Sequence, residues 1–488
     1  MTEHRVLSFI PYLQSPPTHT QTGSAPASAA ASTFNVTDDE SHKAAPVTSL
    51  TDPHGPRRWN SNLVQLSGKN RALNEFSVER LGEEVHNNLV MLHGYGAGLG
   101  FFYKNFEALS RAPGWKVYAL DMLGMGRSTR PPFRINAKDR EGKIKEAENW
   151  FIDALEEWRI KRKIERFTLL GHSLGGYMAV AYALKYPGRL DKLILASPVG
   201  IPEDPYAMTS DLPENNDSGM VNEVAASSND LMNGDQQAPS DKNNFLNAKS
   251  KNEAAGGSSE PKKRPYPKWL TTLWDANISP FSIVRWTGPL GPRFVSGWTS
   301  RRFGHLPQEE AAALHDYSYS LFRQKGSGEY ALAYVLAPGA FARSPLIRRI
   351  QGVGRQWLQP HTTPTPDAPN QEPSSNPSTS SQSLDREGGA TNRKRETGIP
   401  VVLMYGSHDW MDTNGGYAAK EKLKEARQKA LQNAGEEERK KENGSAKVII
   451  IRNAGHHLYL EGYQQFNDVM LEEMAETARW TKEHPVES

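Results

Sequence analysis

The sequence predicts one doubly wound α/β domain built on a mostly parallel sheet and interrupted by a long insertion. Three observations predict it. Six short apolar runs read as strands buried on both faces: NLVMLHG (88–94), KVYALD (116–121), FTLLG (167–171), LDKLILASP (190–198), IPVVLMYG (399–406) and KVIIIRN (447–453). Helical patterns alternate with them, ENWFIDALEEWRIKRK (148–163) and LGGYMAVAYALKYP (174–187) reading as crossover helices. The alternation stops near residue 203 and resumes at 399, so the segment 203–398 is inserted into one sheet rather than appended to it.

Between the periodic segments lie stretches without a packing pattern. Residues 14–56 are rich in Ser, Thr, Ala and Pro, and residues 203–262 and 359–398 are equally poor in large apolar side chains. None of them buries enough surface to offset its ordering entropy, and disorder is expected across most of 1–57, 203–264 and 359–398. The charged run 417–442 is expected to form one solvated helix with i,i+4 ion pairs. The sheet domain then comprises 58–202 and 399–488.

Composition narrows the function classes. A net charge of +2 in 488 residues supplies no field for nucleic acid, so no nucleic-acid partner is expected. The chain has no cysteine, which excludes disulfides, a thiolate nucleophile and Cys-ligated zinc; no metal and no cofactor are expected. No apolar window reaches the length of a membrane span. The N-terminus MTEHRVLSFIPYLQSPP is a poor secretory signal and a weak mitochondrial presequence.

The chemistry is carried by LLGHSLGGYMA, where Gly171-His172-Ser173-Leu174-Gly175 joins a strand to a helix. A turn this tight strains the serine backbone, and it tolerates only glycine two residues to either side. A serine hydroxyl needs a base and a donor pair for the oxyanion. LHGYGAGLG (92–100) follows the first strong strand, and the backbone N–H groups of Tyr95 and Leu174 are assigned to that hole. In the order serine, acid, base along successive strand ends, SHDWMD offers Asp409, with Asp412 as the alternative acid. NAGHHLYLEG offers His456, directly after a small Ala-Gly pair that lets the loop approach the elbow, with His457 turned away. His456 then takes the Ser173 proton while Asp409 fixes the imidazole tautomer.

VMLHGYGAGLGFFYKNF, DMLGMGRSTRPPF (121–133), GHSLGGYMAVAYALKYPGRLDKLILASPVGIP and NAGHHLYLEGYQQFN together resemble the lipid-acting α/β-hydrolases of the alpha/beta-hydrolase-domain 4 and 5 subfamily. They are most similar to the fungal mitochondrial cardiolipin-specific deacylases and lysophosphatidic acid acyltransferase relatives. The resemblance implies the α/β-hydrolase fold with a helical cap over 265–358. It also implies two activities. One is deacylation of phospholipid, cardiolipin included. The other is acyl transfer from acyl-CoA to a lysophospholipid, linked in the subfamily to a His-x4-Asp motif. That motif falls on His456 and Glu461 here, with Glu in place of Asp. A non-catalytic lipase activator is the third role in the subfamily, and the retained Ser173 argues against it. The implied localisation is peripheral on the mitochondrial inner membrane, with the cytoplasm or a lipid-droplet surface as the alternative.

The cap adds a substrate argument. Trp269, Trp274, Trp286 and Trp298 fall within 30 residues, and 281–350 carries eight Arg and one Lys against four acids. Trp suits a membrane interface and Arg suits phosphate, so phospholipid and a peripheral membrane surface are the expected partners. Arg285, Arg293, Arg301 and Arg302 are the phosphate candidates, and PKKRP (261–265) adds a basic anchor.

Overall fold

The computed structural model describes residues 2–13, 21–24, 55–203, 279–337, 340–358, 394–432 and 434–485. The low-complexity stretches 203–264 and 359–398 fall, but for a few edge residues, outside these, as do Trp269, Trp274 and PKKRP.

Among the described residues nine strands form one sheet: β1 (Gln21–Ser24), β2 (Arg57–Gln65), β3 (Ala72–Arg80), β4 (Asn87–Leu92), β5 (Trp115–Leu120), β6 (Phe167–His172), β7 (Leu190–Ala196), β8 (Pro400–Gly406) and β9 (Ser445–Ile451). Their order across the sheet is β1-β2-β3-β5-β4-β6-β7-β8-β9. Only β2–β3 and β3–β5 pair antiparallel. The six strands expected from apolar runs are β4 to β9, each within two residues of its expected start.

Side chains alternate between two core layers. Leu92, Leu120, Leu169, Leu193 and Leu403 face α3 (Arg140–Lys161) and α4 (Leu174–Lys185), whose Phe151, Trp158 and Met178 complete that layer. Met91, Ala119, Leu170, Ile194 and Met404 face the other way, toward Phe106 and Met470. Those residues belong to α2 (Tyr103–Leu109) and the last helix, Tyr463–Glu483. Asp139 starts α3 by accepting from the Gly142 N–H at 2.8 Å, and α4 is buried along its whole first ten residues.

β4 lies between β5 and β6, so the chain leaves it in one direction and returns on the other side. At such a switch point the carboxyl ends of neighbouring strands splay and leave a crevice for a ligand. The loop after β4 and the turn after β6 open into it.

The cap adds α5 (Pro280–Trp286), α6 (Gly291–Phe303) and α7 (Gln308–Phe322). The charged run expected as one helix divides into α8 (Thr413–Gln432) and a short turn Glu436–Lys440 that begins after Gly435. The last helix is α9.

The N-terminal residues 2–13 precede the low-complexity stretch 14–56 and are structured. Residues 2–13 form α1 (Thr2–Leu7) and a short turn, with Val6, Leu7, Ile10 and Tyr12 buried. α1 straps the cap to the sheet. Arg5 pairs with Asp316 of α7 at 2.6 Å, and Thr2 donates to Ser320 at 2.9 Å. The Glu3 carboxylate accepts from Tyr317 Oη and from Asn74 Nδ2, both at 3.1 Å. Asn74 also donates to Asp121 at 2.8 Å, which puts two carboxyl groups on one amide. Burial, with Asp121 beside it, raises the Glu3 carboxyl to about 7.

Candidate functional site

Ser173 sits at the turn between β6 and α4 with φ 53° and ψ −115°, left-handed backbone that a non-glycine residue adopts only under constraint. The turn is as tight as the sequence requires. A Cβ on Gly171 would overlap the carbonyl of Gly175, and one on Gly175 would stand 2.6 Å from the carbonyl of Leu92. Ser173 is held by its N–H, which donates to Ala196 O at 3.0 Å, and by its carbonyl, which accepts from Gly176 and Val199.

The loop after β4 crosses directly over this turn. A Cβ on Gly94 would lie 3.0 Å from Ser173 Cβ. His93 sets the loop's orientation. Its Nε2 accepts from the Met122 N–H at 3.1 Å, so the ring proton is on Nδ1 and goes to Gly94 O at 2.7 Å. Burial lowers the His93 pKa, which keeps this neutral tautomer. With the Gly94 carbonyl fixed, the planar trans peptide turns the Tyr95 N–H the opposite way. The Leu174 N–H lies in the first turn of α4, among the donors that a helix cannot satisfy itself. The Tyr95 ring stacks on Phe281 of the cap at 4.9 Å, and Phe281 stacks on Phe322 at 4.5 Å, closing a roof over the loop.

The acid and the base meet across the ends of β8 and β9. His456 Nδ1 donates to Asp409 Oδ1 at 3.3 Å. The same oxygen accepts from the Met411 N–H at 3.0 Å, and Ser197 Oγ donates to Oδ2. Burial alone would raise the Asp409 carboxyl, but the bonds from His456, Ser197 and Met411 outweigh it and hold the pKa below the ordinary carboxylate value. Asp412 does not join them. It accepts from the Asn414 N–H at 3.0 Å, at the start of α8.

The two adjacent histidines part company. His456 meets Asp409 and the Trp410 ring at 4.8 Å. His457 turns inward, where Arg302 lies 2.9 Å from its Nε2, and burial followed by that cation holds its pKa well below 6.5. Glu461 accepts from the Gly455 N–H at 2.6 Å and from the His457 N–H at 3.3 Å.

The four phosphate candidates do not converge. Arg285 forks onto Glu329, at 2.7 and 3.3 Å, because the two stand on facing cap segments and each neutralises the other out of water. Arg302 faces His457 and the Trp298 ring, 4.4 Å from its centroid. Arg293 and Arg301 are exposed on α6.

Sequence reasoning missed His172 and Ser197. His172 Nε2 donates to the His456 carbonyl at 3.0 Å, tying the residue before Ser173 to the base. Its signal was a polar ring at the end of a wholly buried strand, directly before the serine. Ser197, the donor to Asp409, had none.

Residues 87–253 match the α/β hydrolase fold family. The chain is 30% identical to a probable 1-acylglycerol-3-phosphate O-acyltransferase of Oryza sativa subsp. japonica, over 77% of this chain and 67% of that one. It is 27% identical to the Mus musculus 1-acylglycerol-3-phosphate O-acyltransferase ABHD5, over 86% and 85%. With the Saccharomyces cerevisiae 1-acylglycerol-3-phosphate O-acyltransferase ICT1 it shares 22% identity, over 77% and 79%. The chain spans about two thirds of the length of its plant relatives.

Proposed function

Because the chain belongs to the α/β-hydrolase family, in the branch of these acyltransferase-named relatives, we propose that it is a serine-dependent lipid acyl hydrolase that deacylates phospholipid. The observation that carries this reading is the strained Ser173 elbow lying one residue from the contact that anchors the His456–Asp409 pair. Ser173 Oγ attacks the acyl ester carbonyl as His456 takes its proton, and the Tyr95 and Leu174 N–H groups receive the oxyanion. The lysolipid leaves with the proton from His456, and water then cleaves the acyl-enzyme by the same exchange.

The names of the relatives favour a second reading, acyl transfer from acyl-CoA to lysophosphatidic acid. Peripheral contact with a lipid surface suits both readings. Among the described residues no helix is long and apolar enough to cross a membrane, while Trp286 and Leu290 stand 73% and 59% exposed on the cap. Cardiolipin as substrate and the mitochondrial inner membrane as location are part of this proposal, and their support is the sequence resemblance to the fungal deacylases alone.

The test is release of fatty acid and lysolipid from mixed phospholipid vesicles containing cardiolipin, read by mass spectrometry with and without acyl-CoA. Lysolipid formed without acyl-CoA, and lost in Ser173→Ala, supports the hydrolase. Acylated lysophosphatidic acid formed only with acyl-CoA, and surviving Ser173→Ala, overturns it.

A further inference from the structure

The spacing between His456 and Glu461 has a backbone reason. One helical turn, Leu458–Glu461, follows His457 and returns residue 461 beside the start of the turn. There the carboxylate accepts from the N–H groups of Gly455 and His457, the two residues that flank His456. The carbonyl of His456 accepts from His172 Nε2, and that of Ala454 from the His408 N–H at 2.9 Å. Backbone groups of residues 454, 455, 456 and 457 are therefore each pinned by a separate bond. His172 is suited to its part: donation from Nε2 leaves Nδ1 unprotonated, and burial with His456 nearby holds its pKa well below 6.5. Both Glu461 oxygens are turned to main-chain donors, while the His456 imidazole is bonded to Asp409.

We infer that Glu461, with His172, is a positioning residue that fixes the loop carrying His456, and that it is not a second catalytic carboxylate dedicated to acyl transfer. The inference rests on the serine chemistry proposed above for its consequence: hydrolysis and transfer share one acyl-enzyme on Ser173. In transfer, a lysophospholipid hydroxyl replaces water. His456 takes its proton, the new ester C–O bond forms, and the bond to Ser173 Oγ breaks as His456 returns the proton to that oxygen.

The experiment uses the full chain as wild type, Ser173→Ala, Glu461→Ala, Glu461→Gln and His172→Phe. Four quantities are read: the rate of fluorophosphonate labelling, fatty acid release from phospholipid vesicles, oleoyl transfer from oleoyl-CoA to lysophosphatidic acid, and the low-field proton resonance of His456 Nδ1, identified by its loss in His456→Ala. Glu461→Ala is expected to lower labelling, hydrolysis and transfer by one common factor, on the order of 10 to 100, as misplacement of a catalytic group does. Glu461→Gln, which keeps one acceptor oxygen, is expected to lower them by a smaller common factor. The resonance should shift or broaden in Glu461→Ala and in His172→Phe. Loss of transfer in Glu461→Ala or Glu461→Gln with labelling, hydrolysis and the resonance unchanged would overturn the inference. If the wild type neither labels nor releases fatty acid, the serine reading fails by itself. The resonance then still decides the positioning role, and an unmoved signal in Glu461→Ala refutes it.

Discussion

The floor of the site and the cap above it handle charge in opposite ways. In the floor, Asp409 is fully buried yet receives donors from His456, Met411 and Ser197. Asp409 thereby orients the His456 ring, and is itself oriented by Ser197 and the Met411 N–H. The cap closes with rings instead: Tyr95, Phe281 and Phe322 stack at 4.9 and 4.5 Å, and its charged side chains split between internal pairs and open surface. Stacked rings exclude water without fixing direction, so they can slide where hydrogen-bonded groups cannot. In the reading proposed above, the floor carries the chemistry and the cap covers it.

The contrast is tested most severely in the floor. Ser173→Ala should reduce turnover by about 10⁶-fold, to background, with fluorophosphonate labelling abolished. Asp409→Asn should cost about 10⁴-fold in kcat, because the imidazole loses its orienting acceptor, and Asp412→Asn should leave kcat within a fewfold of wild type. An equal loss in the two would show that the acid had been placed on the wrong residue.

The strap between floor and cap predicts a pH effect with a definite sign. The Glu3 carboxyl is raised to about 7 from 4.5, so the folded protein holds its proton where the unfolded chain has lost it. Stability from this group is full below about 4.5 and falls as pH rises toward 7. Glu3→Gln should therefore melt higher relative to wild type at pH 8 than at pH 4.5, by up to roughly 3 kcal/mol if the whole shift is realised. Equal melting differences at both pH values would remove the carboxyl from the strap's energetics.

Smaller effects are expected on the cap surface. Trp286→Ala should weaken binding to anionic vesicles about tenfold through lost apolar burial. Arg293→Ala should weaken it about fivefold at low salt, roughly 1 kcal/mol for one basic residue near the surface. Arg285→Ala should instead lower the melting temperature, since it leaves the buried Glu329 carboxylate without its counter-ion. If Arg285→Ala weakened vesicle binding more than Arg293→Ala, the division between internally paired and surface cations would be wrong.

How far these features were legible depended on what stabilises each of them. β4 to β9 were readable because strands covered on both faces must be apolar throughout. β3 was not, because Asn74, Glu75, Ser77 and Glu79 are buried within it. Its polarity is satisfied from distant residues: Trp158 donates to Glu75 at 2.7 Å, and Arg162 forks onto the same carboxylate. The strap was illegible for a related reason. A six-residue helix has no intrinsic stability to advertise, and its burial depends on α7, some 310 residues away. The positions of Ser173, Asp409 and His456 followed from strand ends, which are local. The fate of the arginines did not, because pairing between Arg285 and Glu329 is settled only when cap segments fold against each other.

That distance also orders events during synthesis. The first thirteen residues leave the ribosome long before α7 exists, and at 5 to 20 residues per second the wait is roughly 15 to 60 s. Val6, Leu7, Ile10 and Tyr12 must spend it without their final covering, exposed to chaperones or to premature partners. The docking of α1 on α7 can therefore come only after the cap helices have been made.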